Sequence, residues 1–387
     1  MSRIDELIEK LCPDGVEWKT IQDVCKNIVS GGTPLTSRAE YYNGNIPWLR
    51  TQEVDWMDIH DTGIKITEAG LKNSSAKLIP KNCVIVAMYG ATAAKVAVNK
   101  IPLSTNQACC NLEIDDTIAN YRFVYYWLCN NYNHLRSLGE GSQSNINGQK
   151  IKSYKIPIPP LEIQNEIVKT LDLFTELEAE LEAELEARKT QYKFYRDRLL
   201  SFDGKNVEWK KLGEVAIIGT GSRNTNEAVP EGKYPFFVRS QIPLRINESE
   251  FDETAIITAG DGVGVGKVFH FVEEKYALHQ RAYRIHVTDN KLSPKFLFYF
   301  IRNNFASYLA TTSVHASVTS LRKPMFDKYP IPIPSLSEQE RIVTILDKFD
   351  ALVNDISIGL PAEIEARRKQ YEYYRNRLLT FKNRNDE

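Results

Sequence analysis

Two short runs, Arg50-Thr51-Gln52 and Arg239-Ser240-Gln241, each set a cation, a hydroxyl and an amide side by side. That combination suits the reading of nucleic acid. Arginine pairs with guanine or with phosphate, amides pair with adenine, and hydroxyls serve either. Two runs of small residues, Ser30-Gly31-Gly32-Thr33 and Thr220-Gly221-Ser222-Arg223, offer backbone amides to a phosphate. Lys95 and Gln107 in the first half of the chain align with Lys267 and Gln280 in the second. Polar runs containing Ser142, Gln143 and Asn145, and Ser317, Thr319, Ser320 and Arg322, follow later in each half. These are the candidate DNA-binding residues. Each alone reads equally as an ordinary surface loop, and repetition at corresponding places raises the set above its members.

Other chemistry finds little support. No G-x-x-x-x-G-K-[ST] phosphate loop is present, and the six histidines show no paired metal-ligand spacing. The glycine-rich run Gly260–Gly266 becomes Met88-Tyr89-Gly90-Ala91-Thr92-Ala93-Ala94 in the first half, so it reads as a tight turn between strands. Asp55, Asp58 and Asp61 face Pro243, Leu244 and Arg245 in the second half and read as a solvated loop. The six cysteines include no C-x-x-C pair and read as small buried hydrophobes. No catalytic residue, no metal site and no cofactor are expected in this chain.

The 387 residues, 42% hydrophobic and 10% aromatic, exclude general disorder and leave room for two to four domains at roughly 100–200 residues each. No apolar run approaches the ~20 residues of a membrane span. The polar start, Met1–Glu6, does not read as a secretory signal, so a cytoplasmic location is expected. Lys and Arg number 49 against 50 Asp and Glu, but the balance is uneven along the chain. Residues 160–202 hold 6 basic and 10 acidic groups, whereas residues 203–335 hold 17 and 14. Weakly basic large segments permit nucleic-acid binding without requiring it.

The elements that must position the candidate residues are written twice. Tyr154-Lys155-Ile156-Pro157-Ile158-Pro159-Pro160-Leu161 matches Tyr329-Pro330-Ile331-Pro332-Ile333-Pro334-Ser335-Leu336, and the likeness continues through Gln164/Gln339, Ile167/Ile342, Leu171/Leu346, Asp172/Asp347 and Phe174/Phe349. After an offset, Glu186-Ala187-Arg188-Lys189 to Phe202 matches Glu365-Ala366-Arg367-Arg368 to Phe381. Val16-Glu17-Trp18-Lys19 aligns with Val207-Glu208-Trp209-Lys210. The spacing predicts globular domains over residues 1–155, with a short helix at 4–11, and over 204–329. Helical segments are expected over 156–203 and 330–387. The expected fold is α+β: two mixed α/β domains separated by two long coiled-coil helices. The seam comprises Ile167, Leu171, Phe174, Leu181, Leu185, Tyr192, Tyr195 and Leu199, facing Ile342, Leu346, Phe349, Ile356, Ile364, Tyr371, Tyr374 and Leu378. A kink is expected near 359–361, where Gly359-Leu360-Pro361 meets a stutter. The Ile-Pro-Ile-Pro runs read as stiff extended straps, and the cyclic repeat places helix 4–11 beside the end of the second helix.

These features together resemble the specificity subunit of type I restriction–modification enzymes. The resemblance rests on the duplicated I-P-I-P-[PS]-L…Q…I-V…L-D…F start, the E-A-R-[KR]…Q-Y…Y-R…R-L-L end, and the G-V-E-W-K and S-G-G-T-P openings, and it covers essentially the whole chain. It implies a non-catalytic subunit that reads a bipartite, asymmetric site in double-stranded DNA and directs adenine methylation or restriction by others. It also implies that the two domains are related by a pseudo-twofold axis with the two helices antiparallel between them, and that two methyltransferase subunits and two motor–nuclease subunits are partners. S-adenosylmethionine, ATP and Mg2+ would then sit on the partners, with no membrane involved. The competing reading is a coiled-coil scaffold with two peptide-binding domains, and a self-contained enzyme ranks behind both.

Overall fold

The computed structural model describes residues 3–140, 145–312 and 320–384. The chain forms two compact units. The first is Met1–Glu180 with Glu365–Glu387, and the second is Leu181–Ile364. Each unit therefore takes a globular segment, the start of the helix that follows it, and the end of the other helical segment.

In the first unit a five-stranded sheet runs in the order Cys25–Ser30, Cys109–Ile114, Val84–Ala87, Val96–Asn99 and Asp58–Ile59. Val84–Ala87 and Val96–Asn99 are buried at every residue, as expected for central strands covered on both faces. A four-stranded sheet orders Lys65–Ile66, Tyr42–Leu49, Leu103–Thr105 and Leu78–Ile79, its central pair parallel. The second unit repeats the plan. One sheet orders Ala216–Thr220, Ala282–Val287, Ala255–Ala259 and Phe269–Val272. The other orders Leu244–Ile246, Tyr234–Phe237, Lys275–Leu278 and Phe251–Asp252, again with a parallel central pair. Helices Tyr121–Asn130 and Pro294–Thr312 close the two cores with Phe123 and Phe296 fully buried.

The Ile-Pro-Ile-Pro runs are not free straps. Lys155–Ile158 pairs antiparallel with Glu17–Thr20, and Pro330–Ile333 with Glu208–Lys211, in the same register: Glu17 faces Ile158 and Glu208 faces Ile333. This explains why the Val-Glu-Trp-Lys and Ile-Pro-Ile-Pro motifs recur together. Each is half of a two-stranded ribbon whose edge tolerates proline because no further strand needs its missing N–H.

From each ribbon a helix departs. The first long helix runs Leu161–Leu199, the second Leu336–Asn354, and the C-terminal helix Leu360–Leu378. Their starts are tied to the domains by one buried amide. Gln164, fully buried, accepts from the Asn120 N–H at 2.8 Å and donates to the Pro159 and Ile118 carbonyls; Gln339 accepts from Ser293 at 2.7 Å and donates to Pro334 and Lys291. Two turns further along each helix Tyr126 donates to Asp172 and Tyr299 to Asp347.

The expected seam is divided between the units. In the first, Ile167 and Leu171 are fully buried in the domain core, Phe174 stacks on Tyr374 with centroids 5.5 Å apart and contacts Tyr371, and Leu378 is buried. Arg368 meets Glu178 at 2.5 Å, which with the Phe174 contacts gives antiparallel pairing. In the second, Ile342, Leu346 and Ile364 are buried, and Tyr192 and Tyr195 stack on Phe349 at 5.9 and 5.8 Å; Leu181, Leu185 and Leu199 are half-buried. Much of the seam is therefore buried against domain helices and not only against the opposing rod.

Ile356 is corrected: it is 85% exposed and belongs to no seam. The second helical segment is broken, not merely kinked, over residues 355–359. Gly359 comes so close to the end of the preceding helix that a Cβ there would lie 2.4 Å from the Ala351 carbonyl oxygen. Pro361 then stands in the first turn of the C-terminal helix, where its missing N–H costs nothing.

The cyclic arrangement is present in the first unit. Helix Arg3–Leu11 buries Ile4 in the core that holds Leu378 and Leu379, Arg377 bonds Asp5 at 2.9 Å, and Val16 bridges to Asn383. Phe381 packs edge-on to Phe123 there, just as Phe202 packs on Phe296 in the second unit.

Candidate nucleic-acid interface

Four backbone hydrogen bonds collect the candidate loops of each unit, and they correspond one for one. In the first unit Gly32 donates to Thr105 (2.9 Å), Asn106 to Leu49 (2.9 Å), Met88 to Ala108 (2.8 Å) and Ile146 to Met88 (2.8 Å). In the second, Arg223 donates to Leu278 (3.2 Å), His279 to Phe237 (2.9 Å), Gly260 to Arg281 (2.9 Å) and Leu321 to Gly260 (2.7 Å). These bonds bring the small-residue run, the Arg-Thr/Ser-Gln run, the Gln107/Gln280 loop and the segment before the ribbon to one edge of their own unit. The same frame carries different side chains in the two units.

On the first edge, Thr33 hydrogen-bonds Gln107, which is itself exposed. Arg50 lies 3.6 Å from Glu53, with Thr51 half-buried and Gln52 exposed beside it. Lys95 bonds Asp55 at 2.6 Å, and the Asn145 side chain accepts from the Gly90 N–H at 3.1 Å. Ser30 ends its strand, exposed. Gly31 and Gly32 do not serve as an open phosphate cradle. Both are buried, and a Cβ on Gly31 would come within 2.0 Å of the Thr105 carbonyl oxygen. The second-unit counterpart, Gly221, lies 1.8 Å from the Leu278 carbonyl by the same measure. Glycine is required at these places for close backbone packing.

On the second edge, the exposed Arg239 bonds one oxygen of Asp261 at 2.7 Å, and Arg281 approaches the other at 3.4 Å. Burial first, and then these two guanidiniums, push the His279 imidazole below its ordinary pKa. The neutral ring accepts the Arg281 N–H at Nδ1. Arg223 pairs with Glu227 and Glu248, which raise its pKa further, while Ser222 bonds Glu250. Gln280 donates to Asn224; Ser240 donates to the Ile242 carbonyl; Thr220, Gln241, Lys267 and Arg322 are exposed; and Ser320 bridges to Asp261. The run Gly262–Gly264 is a short 3-10 turn between strands, as its sequence suggests. Ser142, Gln143, Ser317 and Thr319 lie outside the described residues.

Residue-type matching missed Asp261 and Arg281, whose signal lay in the extra cation after Gln280. It also missed Ile242 and Val263, which stand 77% and 97% exposed on loops beside Arg239. The described residues contain no cluster of three or more potential metal ligands, and no helix among them is long and apolar enough to cross a membrane.

Two mixed α/β units that share one framework and present dissimilar polar edges, each followed by a long helix, define a duplicated recognition protein. Residues 13–187 and 204–366 match the family described as the type I restriction modification DNA specificity domain, and the chain belongs to that family. It is 37% identical over 298 residues to the type I restriction enzyme EcoR124I/EcoR124II specificity subunit of Escherichia coli, covering 69% of this chain and 72% of that one. It is 30% identical over 380 residues to the EcoprrI specificity subunit of Escherichia coli, covering 90% and 92%. The S subunit from M. genitalium shares the fold, with a TM-score of 0.61 at 16% identity over 94% of this chain and 96% of that one. The chain is thus a non-catalytic, DNA-recognising specificity subunit of a type I restriction–modification system, with catalysis on partner subunits.

Proposed function

We propose that the two loop edges read the two halves of a split, asymmetric DNA sequence, one edge per half. The observation that carries this reading is the shared set of four backbone hydrogen bonds supporting different side chains. A common frame presents both edges to a duplex in the same manner, and unlike side chains select unlike bases. The edge residues are Thr33, Arg50, Thr51, Gln52, Lys95, Gln107 and Asn145 in the first unit, and Ser222, Arg223, Arg239, Ser240, Gln241, Lys267 and Gln280 in the second. Several of the cations are held by carboxylates (Lys95 by Asp55, Arg223 by Glu227 and Glu248, Arg239 by Asp261). These acids orient the cations and oppose indiscriminate attachment to phosphate.

Two methyltransferase subunits and two motor–nuclease subunits, assembled in the cytoplasm, bring S-adenosylmethionine, ATP and Mg2+. Adenine methylation and restriction are theirs; this chain chooses the site. Methylome sequencing of cells that express the chain with its cognate methyltransferase tests the reading. A single split motif with methyladenine in each half is expected. A contiguous motif, or no salt-sensitive, sequence-selective DNA binding in the complex, would reject it.

A further inference from the structure

The second edge carries two side chains that its polar chemistry does not use. Ile242 is 77% exposed and Val263 97%, and no other large apolar side chain in the described globular segments stands as far out. Single exposed aliphatics are ordinary on a protein surface, but two on neighbouring loops among cations call for a cause. The two loops are tied together. Arg239 bonds Asp261 at 2.7 Å, just before the turn Gly262–Gly264, and a Cβ on Gly264 would come within 2.8 Å of the Arg239 carbonyl oxygen. Ser240 donates to the Ile242 carbonyl at 2.6 Å, and the Ser240 carbonyl accepts from His270 Nε2 at 3.2 Å. Gly262 takes φ +78°, a conformation that favours glycine, and Val263 follows it in the middle of the turn. Loops held in this way leave little ordering for a ligand to impose.

We propose that Ile242 and Val263 read a thymine in the half-site of the second unit, by packing on its 5-methyl group in the major groove. This rests on the reading of the loop edges as DNA-binding surfaces. The thymine methyl is the apolar feature that a base pair shows in that groove. Gln241, exposed and adjacent to Ile242, suits N6 and N7 of adenine, and an A·T pair presents those atoms and the thymine methyl in the same groove. Arg239, Lys267 and Arg281, all exposed around the two apolar tips, fit a polyanion and not an apolar protein surface. The first unit supplies the contrast. At the corresponding places it has Glu53, whose carboxylate lies 3.6 Å from Arg50, and Ala91. Neither extends an aliphatic tip, so this contact belongs to one half-site.

The test uses the complex of the full chain with its cognate methyltransferase and duplexes of its methylome-defined site. Each thymine, on either strand and in either half, is replaced in turn by deoxyuridine, which lacks only the 5-methyl group. In one half, a replacement is expected to weaken binding about fourfold, the effect of one buried methyl group. The double variant Ile242→Ser/Val263→Ser is expected to bind the thymine and deoxyuridine duplexes equally at that position. An unaltered thermal unfolding midpoint shows that the double variant folds. Selective binding that is indifferent to every replacement overturns the proposal. So does a double variant that keeps the unchanged chain's preference for thymine, because the tips would then act elsewhere on the duplex. Unselective binding by the unchanged complex overturns the reading of the loop edges as well, so the two failures are distinguishable.

Discussion

At the scale of the residue, the second edge depends on how Asp261 shares its carboxylate. One oxygen holds Arg239 and the other faces Arg281, so two guanidiniums are presented from adjacent loops in fixed orientation. An arginine held in this way can meet a guanine edge with little further loss of side-chain freedom. Arg239→Ala is expected to relax base preference in one half of the recognised sequence by roughly 5- to 150-fold, the 1–3 kcal/mol of a good bidentate contact, and to leave the other half unchanged. Methylation of a library randomised separately in each half-site, with the partner methyltransferase present, measures this. A uniform loss across both halves would instead assign Arg239 to phosphate. The cation–hydroxyl–amide runs were legible in the sequence as a repeated pattern. The carboxylates that hold them were not, because Asp261 lies 22 positions from Arg239 and only the sheet brings them together.

At the scale of the element, each long helix is anchored by a single buried glutamine. Gln339 is fully buried and satisfies the Ser293 N–H as well as the Lys291 and Pro334 carbonyls. Gln339→Leu keeps the volume and strands those groups without partners. A loss of about 1–3 kcal/mol is expected, which for a unit of this size lowers Tm by on the order of 2–10 °C. Calorimetry of Gln339→Leu beside Glu340→Leu, an exposed neighbour expected to change stability by under about 0.5 kcal/mol, separates this anchoring from a general effect on the helix. The repeat marked Gln164 and Gln339 as framework positions. It did not say that they join helix to domain, since an isolated glutamine on a helix reads as solvated. The helix break at residues 355–359 was foreshadowed by Gly359 and Pro361, but its position one turn earlier follows from the close approach of Gly359 to the Ala351 carbonyl.

At the scale of the whole molecule, the duplication is not chemically even. All six cysteines lie in the first unit, and burial raises every one of their thiols, Cys25, Cys83, Cys110 and Cys129 to about 12. A thiol whose pKa is higher in the folded state favours folding fully below its unfolded value near 9, and that contribution is lost as pH rises toward 12. Buried tyrosines act in the same sense in both units, through Tyr126 and Tyr154 in the first and Tyr192 and Tyr299 in the second. The thiols therefore set the difference: the first unit is expected to weaken faster than the second above pH 9. Four of the five tryptophans, Trp18, Trp48, Trp56 and Trp127, report on the first unit. Urea midpoints read by tryptophan fluorescence should fall faster between pH 8 and 10.5 than those read by far-ultraviolet circular dichroism. Midpoints that move together would show that the thiols do not carry the difference.

The sequence by itself determined the duplication, the long helical segments, the cyclic return of the C-terminal end to the N-terminal helix, and the family. All of these are carried by residue patterns repeated along the chain, and a repeat survives without coordinates. Only the tertiary structure decided that the Ile-Pro-Ile-Pro runs are ribbon strands, that Gly31 and Gly32 are packed framework and not an open cradle, and that Ile356 leaves the seam. These depend on which backbone meets which across long stretches of chain, as Gly31 meets Thr105 and Glu17 meets Ile158, or on the local approach of Gly359 to the helix before it. Pairing of that kind follows from the sum of packing over a whole unit, and no local spacing encodes it.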